Sequence, residues 1–121
     1  MLVCALPLAV SCREVEEGDA PMVGAWKSSV GSIQFLDDGT LGQVSLPPAA
    51  CGGKASAKAV AFTGIWRHGA MDDAGHGADV VLVSVTGDLK CERYFQFFKR
   101  QGQERLQLTG RSGFDEPFVR G

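Results

Sequence analysis

The sequence lacks a hydrophobic run of the roughly 18 residues that a membrane helix needs. It also lacks any window of a dozen residues with apolar spacing of three and four, so almost no helix is predicted. It has no Walker loop, no dinucleotide fingerprint and no His/Cys spacing typical of metal ligands, which removes the best-marked nucleotide and metal chemistries. A G-x-S-x-G elbow is missing, and neither of the two histidines adjoins a nucleophile motif. Charge of one sign is not in excess: 12 basic residues face 14 acidic ones, for a net charge of −2. That balance, with a pI near 5.6, disfavours nucleic acid as a partner.

What is present points to a folded all-β chain. Apolar residues make up 45% of the 121 positions, enough for a core. Sixteen glycines and five prolines are too many for a helical bundle, and they lack the G-X-Y period of collagen. Loops between short strands use both residues.

The opening twelve residues, MLVCALPLAVSC, carry no charge, whereas REVEEGD directly after them carries four acids and one base. An apolar run of this length ending in small residues reads as the end of a secretory signal. Its last four residues, Ala9-Val10-Ser11-Cys12, resemble the bacterial lipobox, in which the cysteine is acylated on sulfur and becomes the new N-terminus. The reading is therefore a signal-peptide remnant over 1–11, a lipidated acidic tether over 12–21 anchored through Cys12, and a single β-domain over 22–121. With no Lys or Arg ahead of the apolar run, the true initiator is expected upstream of Met1. In the alternative, residues 1–10 form a buried first strand or a cytosolic N-terminus, but Pro7 would leave a ladder position without a donor.

Cleavage before Cys12 removes 11 residues and leaves 110, with three of the four cysteines. Lipid takes Cys12. In an oxidising compartment the remaining two, Cys51 and Cys91, are expected to form a disulfide. The alternative is two independent buried thiols, which the polar, glycine-rich setting of Cys51 in CGGK disfavours.

From Met22 onward, short β-type runs recur at Met22–Ser28, Ser32–Leu36, Leu41–Leu46, Ala59–Arg67, Asp79–Thr86, Lys90–Arg100 and Glu104–Thr109. Glycine-bearing turns separate most of them. Seven to eight short strands at this spacing predict a small antiparallel meander barrel or a sandwich. Asp38-Gly39 reads as a two-residue type I′ turn, and Gly87-Asp88 as a similar one. The two longest loops are 46–58, carrying Cys51, and 68–79. Period 2 places Trp26, Ile33, Phe35, Trp66, Val81, Val83, Val85, Cys91, Phe95, Phe97, Leu106 and Leu108 on faces that can share one core. Trp26, Phe35 and Trp66 would line the core or a cavity within it.

Gly24-Ala25-Trp26, the hairpin SIQFLDDGTL and the second G-x-W at Gly64-Ile65-Trp66 resemble the motifs of small secreted actinobacterial lipoproteins of uncharacterised role. The first G-x-W also resembles the opening strand of lipocalin-like barrels, in which the tryptophan plugs one end. That resemblance implies architecture and no ligand. No arginine can be assigned as partner to either tryptophan from the sequence.

His68, Asp72, Asp73, His76 and Asp79 lie within twelve residues, but in neither the H-E-x-x-H nor the calcium-loop spacing, so they read as a polar hairpin tip. Residues 90–121 hold seven bases against four acids, which read as exposed charges guarding strand edges. No catalytic residue, cofactor or metal ligand is assigned. The expected function is a lipid-anchored, extracytoplasmic envelope domain that binds a protein, a wall component or a small apolar ligand without catalysis. The competing class is a secreted hydrolase or an enzyme inhibitor acting through loop 46–58 or 68–79. A closed cavity lined by Trp26, Phe35 and Trp66 would favour the apolar ligand. A filled core with an exposed apolar patch would favour a protein partner.

Overall fold

A computed structural model describes residues 22–54, 58–70, 76–110 and 116–121. Eight antiparallel strands form one sheet: β1 (Gly24–Lys27), β2 (Ser32–Phe35), β3 (Leu41–Leu46), β4 (Val60–Ala70), β5 (His76–Ser84), β6 (Lys90–Arg100), β7 (Gln103–Leu108) and β8 (Val119–Arg120). Their spatial order is β7-β6-β5-β4-β3-β2-β1-β8. Leu106 and Phe118 exchange both backbone hydrogen bonds (2.9 and 2.7 Å), which brings β7 beside β8 and rolls the sheet into a nearly closed meander barrel. Closure removes the long exposed edges that a flat eight-stranded sheet would leave. The one helical element among the described residues is a single 3-10 turn, Pro48–Cys51.

All seven strands anticipated from the alternation are present. The eighth is two residues long, Val119-Arg120, below the length at which alternation can be read. The hairpin loop expected over 68–79 is shorter, because pairing continues through His68↔Ala78 and Gly69↔Gly77 to Ala70↔His76. Gly77 has no Cβ to oppose the Tyr94 phenol, which lies across the outer face of Gly69 and Gly77 and lets the two small strands run on.

The turns differ in kind from those expected. Between β2 and β3, Leu36 N–H donates to Thr40 O at 3.0 Å, so the loop has three residues, and only Gly39 is left-handed (φ +91°). The Asp38 carboxylate instead accepts from the Thr40 N–H (2.9 Å) and hydroxyl (2.7 Å), which favours the one-residue-longer loop. Between β5 and β6 the turn has four residues, with Ser84 N–H on Leu89 O and Gly87 at φ +85°. The two-residue turn with both residues left-handed is Gln101-Gly102 (φ +54° and +80°), joining Arg100 to Gln103.

The inward face of β5 is also the opposite of that expected. Trp66 pairs with Val80 and Gly64 with Leu82, and directly paired residues share a face, so Ala78, Val80 and Leu82 are buried while Val81 and Val83 turn outward. Val85 is 64% exposed. The run Val80-Val81-Leu82-Val83 is apolar on both parities and cannot declare its face. The neighbouring strands decide it.

The core runs the length of the barrel as a chain of edge-to-face aromatic contacts. Phe35 meets Trp66 at 5.2 Å and Phe95 at 6.1 Å; Phe95 meets Phe118 at 5.9 Å; Trp26 meets Phe97 at 6.0 Å. Each such pair adds about 0.5–1.5 kcal/mol to the burial of the rings.

Candidate functional site

Trp26, Phe35 and Trp66 are 0, 0 and 7% exposed and in contact with other rings, so they are core side chains that fill the barrel interior. Both indoles are polar-satisfied at the periphery of that core. Trp26 Nε1 donates to Met22 O at 3.0 Å and Trp66 Nε1 to Leu36 O at 2.8 Å.

Each end of the barrel is closed by a distinct device. At the end where β1 begins, the Arg120 guanidinium lies 4.0 Å from the Trp26 ring. Its Nη1 donates to Val23 O at 2.7 Å and its Nε pairs with Glu104 at 2.8 Å. Arg120 and Glu104 continue the inward parity of Phe118 and Leu106 and so lie across the barrel mouth. Gly24 is required here by its φ of +127°, and a Cβ, 2.6 Å from Arg120 Nη1, would also displace the guanidinium. Arg120 is thus the arginine partner of the first G-x-W that the sequence left unassigned.

At the opposite end, the 3-10 turn packs inward with Ala50 fully buried. Cys51 is disulfide-bonded to Cys91, with Cα atoms 5.3 Å apart. Arg93, two residues further along the inward face of β6, donates from Nη1 to Ala50 O at 2.5 Å and from Nη2 to Thr109 O. The expected disulfide is therefore present, and Arg93 bridges the turn to the exit of β7. Cys12 lies outside the described residues, as do positions 1–21 as a whole.

The remaining candidate surface is the outer face of β4, β5 and β6. In register across the three strands lie Thr63, Val83 and Lys90; then Ile65, Val81 and Glu92; then Arg67, Asp79 and Tyr94. The second and third of these rows border a groove of about 560 Å³, whose lining includes Ile65, Arg67, Asp79, Val81, Glu92 and Tyr94. Ile65 (57% exposed), on this face, and Val85 (64%), in the turn after β5, are the large apolar side chains most open to solvent among the described residues. The Arg67–Asp79 ion pair at its border is long (3.9 Å) and exposed, worth no more than about 1 kcal/mol, so both groups can be re-partnered at little cost.

Of the polar residues read as a hairpin tip, the described ones lie on β4 and β5. His68 shares the inward parity of Trp66, whereas Asp79 pairs with Arg67 on the outer face; Asp72 and Asp73 lie outside the described residues. Among the described residues no three His, Cys, Asp or Glu side chains come together as a metal group. Three of the described bases of 90–121 have specific partners: Arg93 ties the 3-10 turn, Arg120 covers Trp26, and Arg100 lies 5.7 Å from the Phe98 ring. The turn carboxylates serve local structure. Thr40 holds the Asp38 pKa below the usual aspartate value by hydroxyl and then backbone hydrogen bonds; the Thr86 hydroxyl, then that of Ser84, does the same for Asp88. No helix among the described residues is long and apolar enough to cross a membrane.

No protein-family model, curated protein or solved structure matches this chain.

The residues that sequence reasoning missed are Arg93, Arg120 and Ile65, while Val85 was placed inward and is exposed. A signal existed for the outer patch alone: four consecutive apolar residues at Val80–Val83 mean that some of them must face outward.

Proposed function

We propose that this chain is a lipid-anchored cell-envelope domain that works by binding a protein partner, without catalysis, through the outer face of β4, β5 and β6. The observation carrying the reading is the outward aliphatic strip Ile65, Val81 and Val83, of which Ile65 is exposed and the two valines half-buried, beside a core already filled by its own aromatic rings. An interior packed with Phe35, Phe95 and Phe118 gives a small apolar ligand no reason to enter. An outward strip of branched aliphatics edged by separable charges matches the composition of a protein-binding patch. The hydrolase or inhibitor reading gains no comparable support, since residues 47–53 are engaged in closing the barrel and 68–70 and 76–79 belong to strands. Anchoring rests on the charge-free run ending in AVSC, and the resemblance to small secreted lipoproteins agrees with it.

The test places a photo-crosslinking residue at position 65, and as a control at the exposed Gln43 on β3, in protein expressed with its natural leader. Membrane-bound protein should give one discrete crosslinked species from position 65 and none from 43, and Val83→Asp should abolish it without lowering the melting temperature. Cys12→Ala should move the protein from the membrane to the soluble fraction. Equal crosslinking from both positions, or crosslinking indifferent to Val83→Asp, removes the docking face; wild-type protein that takes up no palmitate removes the anchor.

A further inference from the structure

The 3-10 turn at the end of β3 is a self-contained piece of structure. Ala50 N–H donates to Pro47 O (2.9 Å), Gly52 N–H to Ala49 O (3.1 Å) and Gly53 N–H to Pro48 O (2.8 Å), so its backbone donors are satisfied within the turn. Gly52 is left-handed at φ +88°, and at Gly53 a Cβ would press on Pro48 at 2.6 Å, so the turn folds tightly on itself. Its inward side chains are small. Ala50 is fully buried, while Ala49 and Cys51 pack only partly against the core. A turn this short does not hold its hydrogen bonds once detached from the wall, and apolar contact alone holds it there weakly.

Two ties fix it to the barrel, both from the inward face of β6. One is the Cys51–Cys91 disulfide, the other the hydrogen bond from Arg93 to Ala50 O. Cys51 is half-buried and is followed by the exposed Gly52. Around the turn lie Leu46 and Val60, paired with each other, and Leu82, paired with Cys91; Leu89 packs on the same core. They form an apolar rim for which the turn is the stopper.

We propose that this turn is a redox-released stopper: dithiol reduction of Cys51–Cys91 swings it off the barrel end and uncovers an apolar mouth formed by Leu46, Val60, Leu82 and Leu89. A thiolate of the dithiol attacks one sulfur, breaking the Cys51–Cys91 bond and forming a mixed disulfide. The second thiol of the reagent then closes its own disulfide and leaves. Two electrons pass to the protein, and Cys51 and Cys91 each end as a protonated thiol. The Arg93 hydrogen bond and the burial of one alanine side chain then hold the turn alone. The barrel wall keeps every strand pairing, because neither cysteine joins two strands.

The test is hydrogen exchange by mass spectrometry on the whole chain, oxidised and in dithiothreitol at neutral pH, with a fluorescent anilinonaphthalene sulfonate dye as the apolar probe. Reduction should accelerate exchange in a peptide covering 49–53 at least tenfold while peptides from β4, β5 and β6 change less than twofold, and dye fluorescence should rise. Emission from the buried Trp26 and Trp66 should stay unshifted. Cys51→Ser with Cys91→Ser should reproduce the reduced pattern without reagent; should that variant not fold, the reagent experiment on wild-type protein decides alone. Unchanged exchange in 49–53, or acceleration by the same factor throughout the barrel, overturns the proposal.

Discussion

Arg120→Ala tests whether the barrel is closed by the arrangement described at its β1 end. Three interactions are lost together. The guanidinium over Trp26 at 4.0 Å is partly shielded from water and worth about 1 kcal/mol. The hydrogen bond from charged Nη1 to Val23 O at 2.7 Å is worth roughly 1–2 kcal/mol, less than a buried one because the site is wet. The ion pair with Glu104 is about one-third exposed on each side (38 and 33%), which limits it to about 0.5 kcal/mol. Because the three share one side chain they do not add fully, and a net loss of about 2–3 kcal/mol is expected. For a domain of this size that corresponds to a fall in Tm on the order of 10 °C. The control is Glu104→Ala, which removes the weakest of the three and should cost no more than about 0.5 kcal/mol. Arg120→Lys should fall between the two, since an ammonium can face the ring but cannot reach Val23 and Glu104 together in a planar fork. Urea titration followed by tryptophan emission reads all three variants. A loss below about 0.5 kcal/mol in Arg120→Ala, or an equal loss in Glu104→Ala, would refute this account of closure.

Two further outcomes follow from the turns. Because hydrogen bonds hold the Asp38 and Asp88 pKa values below their unfolded values, the stability these carboxylates contribute is fully present above the ordinary aspartate range and is lost as pH falls through the lowered values. Asp38→Asn with Asp88→Asn should therefore lower stability at neutral pH and converge on wild type in acid; a stability difference independent of pH between these limits contradicts the assignment. Gly102→Ala should cost about 1 kcal/mol from its positive φ alone, since no atom lies within 4 Å of the added Cβ. A neutral result in thermal denaturation would mean that the Gln101-Gly102 turn does not have the left-handed geometry assigned to it.

The elements of the barrel were legible in the sequence because strand pattern and turn chemistry are local. A run such as Tyr94-Phe95-Gln96-Phe97 states its own period, and a glycine between two such runs states where the chain must reverse. The two cysteines and the two G-x-W tryptophans were equally legible, since few other roles suit a cysteine pair or a large indole beside a glycine. Turn type was less so: at Asp38-Gly39 the Thr40 side chain and backbone draw the aspartate into a longer loop, and that competition is settled by hydrogen-bond geometry within the hairpin.

Tertiary structure alone decided three things. The face of β5 was open because Val80 to Val83 are apolar on both parities, and only pairing with Trp66 on one side and Arg93 on the other turned Val80 inward and left Val81 outside. Strand β8 was invisible because two residues carry no period; it exists because β1 and β7 arrive on either side of it with unpaired backbone groups. The partner of Trp26 was hidden because Arg120 is 94 positions away in the chain and resembles any other exposed arginine until the barrel closes. Local sequence sets the period and the reversals. Which face is inner, which arginine meets which ring and which aliphatics are left outside are properties of the closed sheet, because each depends on residues brought together only when its two edges meet.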